Sequence, residues 1–462
     1  MILFMRNKGF LQLLTLLLLA ASTRAQNPDS VLIKRISDEV LVNSTAYPNL
    51  RYLCKKVGPR LSGSANAKKA IDATAAMLRA AGADTVYLQP CMVTHWERGA
   101  KETGYVTLAD KSKHVLKLTA LGNSVGTAAA GISSTVIEVK NMAELSMLGE
   151  KVIKGKIVFF NIAMNPTYVK TFNAYGEYGV GRRSGPAQAA KYGAIGAIVR
   201  SLASNIDDHP HTGATQYNDS FPKIPAIAIS TADAEWLSSE LRKKMDLKAY
   251  FKTNCTMFPD APSFNVIGEM KGSEFPAEII TVGGHLDSWD LAEGAHDDGT
   301  GCVQSIEVLR AMKQLQLRPK RTVRAVMFMN EENGGGGSKA YLATAKLKNE
   351  KLIFALESDE GGFTPRGYSL EMTDANMQKM RSWLPLLNNY GIYEMNKGGS
   401  GSDIEPLKQI GTPLAGYAPD SQRYFDYHHA ETDVFEAVSK RELDLGAVNM
   451  TALVWLISEY GL

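Results

Sequence analysis

The residues with the types and spacing for chemistry lie between positions 285 and 433. They are His285 with Asp287 two places on, the pairs Asp297-Asp298 and Glu331-Glu332, then Asp359, and His428-His429 with Asp433 shortly after. Any one of these is a solvated loop in most proteins. Gathered in one pocket they are different, because clustered carboxylates cannot all stay ionised without a cation. Histidine and carboxylates without thiolates suit Zn²⁺, with Mn²⁺ or Co²⁺ as substitutes, and an oxygen-rich set of this kind often holds two ions. Asp287 is spaced to fix the tautomer of a ligating His285, and Asp433 to orient an imidazole at 428 or 429.

The elements that must position them follow from periodicity. Apolar and β-branched runs at 279–282, 322–329, 352–356 and 413–417 read as strands, with helices over 301–315 and 338–345. Val303, Ile306, Leu309 and Met312 give the first helix one apolar face. Strands alternating with helices predict an α/β fold: a mixed, mostly parallel sheet covered on both faces. Such sheets carry their sites beyond the carboxyl ends of the strands. His285, Glu331-Glu332 and Asp359 each follow a predicted strand, so they converge at that end.

Ahead of this block, residues 38–81 are helical in pattern, broken by the turn-rich 58–63, and strands follow near 86–88, 105–108 and 115–118. From 122 the texture changes to short α/β elements: strands at 156–160, 194–199 and 224–229 and an alanine-rich helix at 186–192. The expected organisation is a catalytic unit of residues 26–121 and 253–462, with 122–252 inserted as a compact domain.

With 462 residues the chain exceeds the usual single core. A formal charge of +3 is close to neutral for that length, giving no support for nucleic acid or an anionic membrane as the main partner. Arg6 and Lys8 precede an apolar run over 11–21, and Thr23-Arg24-Ala25 offers small residues for cleavage after Ala25. Residues 1–25 therefore read as a signal peptide, and the protein as exported, to the periplasm or the exterior. The run is too short for a membrane anchor. The four cysteines lack CxxC spacing, which excludes a cysteine zinc site and leaves a Cys54–Cys91 bridge open.

The stretches Gly284-His285-Leu286-Asp287-Ser288-Trp289-Asp290, Asp297-Asp298-Gly299, Asn330-Glu331-Glu332, Glu357-Ser358-Asp359 and His428-His429 through Asp433 resemble the co-catalytic zinc aminopeptidase family. The likeness extends to 58–63, 95–99, 210–213 and 223–225, and so spans essentially the whole mature chain. It implies a zinc exopeptidase fold with two Zn²⁺ per chain. His285 and Asp359 would hold one ion, Glu332 and His429 the other, with Asp297 bridging and Glu331 as general base. The spacing to Asp433 fits the family's His-x-x-x-Asp pattern and so favours His429 over His428; His296 is expected to have no ligand role. The resemblance further implies a cis peptide between Asp297 and Asp298, an insert of protease-associated type, and a homodimer. The implied activity is hydrolysis of dipeptides or of terminal residues of short peptides. A water shared by two zinc ions has a lowered pKa, and Glu331 would take its proton and return it to the departing amine.

Two other readings share the fold: a single-zinc acyl transferase of the glutaminyl cyclase kind, and a non-catalytic binding protein. Both are disfavoured because every ligand and the base are present. Among the remaining polar residues, His209 and His211 are expected on a surface loop, and His95 and Trp96 between domains. Ser400-Gly401-Ser402-Asp403 would cap a helix or receive a substrate carboxylate, and Tyr424 or Tyr427 would face an oxyanion.

Overall fold

The computed structural model describes residues 27–243 and 246–462; the expected signal peptide lies outside them. Two eight-stranded sheets organise the chain. The first runs in the order Thr85–Val93, Ala261–Met270, Arg321–Phe328, Phe275–His285, Lys351–Ser358, Leu414–Pro419, Pro365–Glu371, Glu394–Lys397. Its four middle strands, from Arg321–Phe328 to Leu414–Pro419, are mutually parallel, with antiparallel pairings on either side. The strand at Phe275–His285 lies at the centre, so the histidine that ends it emerges in the middle of the sheet's carboxyl edge.

Alternation along these strands loads both faces. Val323, Ala325 and Met327 join one core with Ile280, Val282 and Leu356, while Val326 and Phe328 join another with Ile279 and Ala355. This period of two is what a sheet covered on both sides requires. The first face is covered by the helices Thr300–Gln314, Ala65–Ala80 and Lys440–Tyr460, the second by Gly336–Lys348 and the short helix at Glu405–Ile410. Lys440–Tyr460 opens with Ser439 capping the N–H of Glu442, the Ser-x-x-Glu start of a capping box.

Thr300–Gln314 departs from the single apolar face read in its sequence. Residues 300 through 312 are all buried, because the helix lies between the sheet and the outer helices Lys440–Tyr460 and Ala46–Tyr52. Its polar side chains are accommodated by pairing: Arg310 Nε donates to Glu307 at 2.6 Å, and Glu307 accepts the N–H of Thr45 at 3.1 Å.

The second sheet runs Lys113–Val115, Thr103–Thr107, Lys248–Lys252, Ile132–Val139, Ile157–Phe160, Gly196–Arg200, Ala226–Ile229, Leu118–Ala120. The fully buried strands Ile157–Phe160 and Ala226–Ile229 divide their side chains between two further cores. The strands Thr103–Thr107, Lys113–Val115 and Leu118–Ala120 pair here although they precede residue 122. The sheet therefore draws in about twenty residues ahead of the change in sequence texture, since its outer strands are recruited from the connection that enters it. All four cysteines are buried free thiols, so no Cys54–Cys91 bridge forms. No helix among the described residues is long and apolar enough to cross a membrane.

Candidate metal centre and active site

At the carboxyl edge of the first sheet each candidate side chain is aimed by a local feature of its sequence. The central strand ends Gly283-Gly284-His285. A Cβ at Gly284 would stand 2.2 Å from Asp298 Oδ2, so the glycine lets that carboxylate accept the N–H of His285 at 3.0 Å. The next strand is followed by Asn330, whose φ of 74° makes a left-handed turn that asparagine tolerates. This turn carries Glu331 and Glu332 toward one pocket instead of to opposite sides of an extended chain. Asp359 directly follows Lys351–Ser358. His429 sits past the short helix Tyr424–Tyr427 with φ 64°, a conformation that costs about 1–3 kcal/mol and persists where neighbours enforce it.

The neighbours belong to the second sheet's loops. Thr212 N–H donates to the His429 carbonyl at 2.9 Å, and the His211 imidazole bonds the His428 carbonyl at 2.6 Å. His211 is thus not a surface residue: its N–H donates to Ser201 Oγ at 2.8 Å, drawing it inward, and burial lowers its pKa to about 4, leaving a neutral ring. His209 stays on the outside, paired with Glu431. Trp96 is buried and meets Trp289 edge-on, while His95 stacks on Phe258.

Asp297 lies between the two imidazoles. His285 Nε2 is 3.1 Å from Asp297 Oδ1 and 3.1 Å from Asp359 Oδ1; His429 Nε2 is 3.2 Å from Asp297 Oδ2 and 3.2 Å from Glu332 Oε2. The structure therefore brings together all five expected ligands, in two groups that share one carboxylate. His428 stacks on His429 at 3.5 Å but its Nε2 stands 3.9 Å from Asp297, so it is His429 that faces both acids. His296 is turned away, its ring stacked on Phe363. The Asp297–Asp298 peptide is cis.

Two expected orienting roles are corrected. The group that receives His285 Nδ1 is the backbone carbonyl of Asp287, at 2.9 Å, not its carboxylate. The Asp287 carboxylate instead accepts the N–H groups of Asn330 at 2.5 Å and Glu331 at 3.1 Å. The Asp433 carboxylate likewise makes no hydrogen bond to His429; it accepts the N–H groups of His296 at 2.7 Å and Asp297 at 3.1 Å. In both cases the backbone donors of a tight turn lie nearer to the carboxylate than the imidazole does. His429 Nδ1 faces the Thr212 carbonyl and the Arg182 guanidinium, each at 3.3 Å.

The donor set fits a divalent cation. Ligand atoms of His285, Asp297 and Asp359 lie within 4.8 Å of one another, as do those of Asp297, His428 and His429. Glu332 Oε1 is buried without a hydrogen bond. Burial, reinforced by the Asp297 charge, pushes Glu332 up to about 8, and burial lifts Asp359 to about 6. Burial works against a charged His285, yet Asp359 and Asp297 outweigh it and hold the ring well above its usual range. Such mutual dependence is what a cation among these groups would relieve.

Asp297, Glu332, Asp359 and His429 floor a cleft of about 950 Å³ between the two sheets. Glu331 lines it, and among the described residues nothing donates to its carboxylate. The far wall comes from the second sheet's segment around Phe172, Tyr175 and Arg182, whose aromatic rings pack on Tyr424 and Phe425. Tyr424 lines the cleft with its hydroxyl toward the Asp359 carbonyl at 3.4 Å. Within Ser400-Gly401-Ser402-Asp403, expected to cap a helix or receive a substrate carboxylate, the N–H of Asp403 is taken by Glu357 Oε2 at 3.0 Å, and the same oxygen accepts the N–H of Ile404 at 2.9 Å.

Residues 265–454 match the model of Peptidase family M28. Carboxypeptidase Q of Bos taurus and of Homo sapiens are each 35% identical to the chain over 415 residues, which is 90% of this chain and 84% of theirs. The chain belongs to peptidase family M28. It is a metallo-exopeptidase. A solved structure of a peptidase M28 precursor from Shewanella amazonensis SB2B superposes on it with a TM-score of 0.89 and 30% identity, covering 93% of this chain and 96% of that one. A zinc aminopeptidase from Bacillus subtilis, 21% identical with a TM-score of 0.63, shares the fold over 89% of this chain and 94% of its own.

Within this M28 chain, Arg182 and Tyr175 went unread in the sequence. Arg182 stands in Gly181-Arg182-Arg183, an unremarkable basic pair ending a short helix, and nothing in its spacing ties it to His429, 247 residues away.

Proposed function

We propose that this protein is an exported di-zinc exopeptidase that hydrolyses dipeptides or terminal residues of short peptides. The observation that carries the reading is Asp297, which offers one oxygen to His285 and the other to His429. Two zinc ions would be held by His285 with Asp359 and by Glu332 with His429, and Asp297 would serve both. Zinc bound there would acidify a water and polarise a scissile carbonyl. The chain's own residues do the rest. Glu331 takes a proton at its carboxylate, which lines the cleft and accepts no hydrogen bond among the described residues, and returns it to the departing amine. Asp287 fixes the backbone from which Glu331 projects, and Asp433 fixes the backbone of the bridging Asp297. Asp359, at the cleft floor, is a partner for a free substrate amine, which would confine cleavage to chain ends.

Export is supported by the basic residues, apolar run and small residues over 1–25. The second sheet is proposed as a protease-associated-type unit inserted in the catalytic one, supported by its separate cores and by the loops it sends to His429. The deciding experiment is zinc content per chain by elemental analysis, alongside turnover of a dipeptide panel. Two zinc ions with peptidase activity are expected. Saturation at one ion would favour the cyclase-like reading, and metal without turnover a binding protein.

A further inference from the structure

Arg182 is the buried cation in the cleft, and among the described residues it has no counter-ion. It is 6% exposed, and among the described residues no carboxylate lies within ion-pair distance. Its Nη2 donates to the Tyr175 hydroxyl at 2.5 Å; Nη1 stands 3.3 Å from His429 Nδ1 and 3.4 Å from the Thr212 carbonyl; Nε is buried with no partner. The other cations on the cleft wall differ. Lys170 is paired with Glu394, Arg366 with Asp420, Arg183 is partly exposed and Lys397 exposed. A buried guanidinium without an acid is costly to maintain, and the group is shaped to hold a carboxylate.

The guanidinium lines the cleft on one side and is closely packed on the other. Gly213, with φ 128°, passes between Arg182 and His429, and a Cβ there would stand 2.4 Å from Arg182 Nη1 and 2.7 Å from His429 Nδ1. Once His429 Nε2 ligates a cation, Nδ1 must carry the ring's proton and donates to the Thr212 carbonyl. Arg182 then loses the imidazole as an acceptor, leaving more of its N–H groups without a partner. Of the other carboxylate receptor foreseen, Ser400-Gly401-Ser402-Asp403, the N–H of Asp403 is filled by Glu357, as is that of Ile404 beside it.

Resting on the exopeptidase reading, we infer that Arg182 binds the free α-carboxylate of the residue that departs. One imidazole ring separates the guanidinium from the acids that floor the site. An α-carboxylate one residue beyond the scissile carbonyl lies only about 4 Å from it by standard backbone dimensions. A longer leaving group would present a neutral amide there. The substrates are therefore peptides that lose a single C-terminal residue, dipeptides foremost, and the second sheet supplies the residue that selects them.

The test compares an Xaa-Ala dipeptide with its C-terminal amide and with Xaa-Ala-Ala, using zinc-loaded wild type, Arg182→Lys and Arg182→Met. Wild type should prefer the free acid over the amide about 10–100-fold in kcat/KM, the scale of a charge-assisted hydrogen bond. Arg182→Met should bring the two substrates to similar kcat/KM, chiefly by raising KM for the acid, with zinc content still at the wild-type value. Arg182→Lys should fall between. Calorimetry on the Glu331→Gln protein should find the dipeptide bound more tightly than its amide. Equal cleavage of acid and amide by wild type overturns the assignment without needing any variant to fold. So does a proportional loss on both substrates in Arg182→Met, or a loss of zinc. Absence of peptidase activity on every substrate would instead sink the exopeptidase reading itself.

Discussion

The carboxylate of Asp287 accepts the backbone N–H of Glu331 at 3.1 Å and that of Asn330 at 2.5 Å, so an acid on one strand end anchors the turn that follows the neighbouring strand. The left-handed Asn330 is thereby fixed, and with it the direction of both glutamates. Asp287→Ala would leave a buried and a part-buried N–H unpaired and loosen the turn. Turnover should fall about 10–100-fold, the range for residues that orient a metal site, with zinc bound more weakly where Glu332 contributes. Steady-state kinetics and zinc affinity by competition with a chelator would measure it. Wild-type values for both would show that the turn holds itself.

Glu331 and Glu332 are expected to fail differently. Glu331→Gln keeps shape but cannot take a proton, so turnover should drop about 10²–10⁴-fold while zinc content stays unchanged. Glu332→Gln removes a carboxylate that stands 3.2 Å from His429 Nε2, so zinc content should fall together with activity. If the first variant loses metal and the second keeps it, the two roles are reversed.

The architecture around the site was legible because its signals are local. Strand-length apolar runs ending in His285, Glu331-Glu332 and Asp359 reveal both the parallel sheet and the edge where its polar residues gather. The partners of Asp287 and Asp433 were not legible, since they are backbone N–H groups whose direction depends on the turn at Asn330 and on the loop before Asp297. Nor was the burial of His211, which comes from contact with His428 across 217 residues. The all-round burial of Thr300–Gln314 escaped for a related reason: Glu307 and Arg310 look like a solvated face until each is seen to pair with the other. Arg182 reaches His429 only through the packing of one sheet's loops on the other.

Metal should govern stability as well as activity. The five candidate ligands come from residues 285 to 429 and are assembled only in the folded chain, so an ion bound there favours the native state by mass action. Removing metal with a chelator should abolish turnover and lower Tm. Zinc added back should restore both, with a Tm that climbs as free zinc rises. The check is calorimetric unfolding at graded free zinc; a Tm indifferent to zinc would mean that the cluster holds no structural ion.

Gly213→Ala probes the contact between the two sheets at its tightest point. The backbone there has φ 128°, a region that alanine enters at a cost of about 1–3 kcal/mol. The added Cβ would also meet Arg182 Nη1 at 2.4 Å and His429 Nδ1 at 2.7 Å, so one of the two side chains must yield. Arg182 is the longer and more flexible, but it is held by Tyr175; His429 is fixed through its carbonyl by Thr212, the residue beside the substitution. The expected variant folds, melts a few degrees lower, and loses at least about tenfold in kcat/KM on dipeptides, on the scale of a lost charge-assisted contact. Displacement of Arg182 would appear as reduced discrimination between dipeptide and dipeptide amide at full zinc content. Displacement of His429 would appear as zinc loss affecting both substrates alike. Unchanged Tm, zinc content and selectivity together would show that the loop can relax, and that the close approach of Arg182 to His429 is not needed for either task.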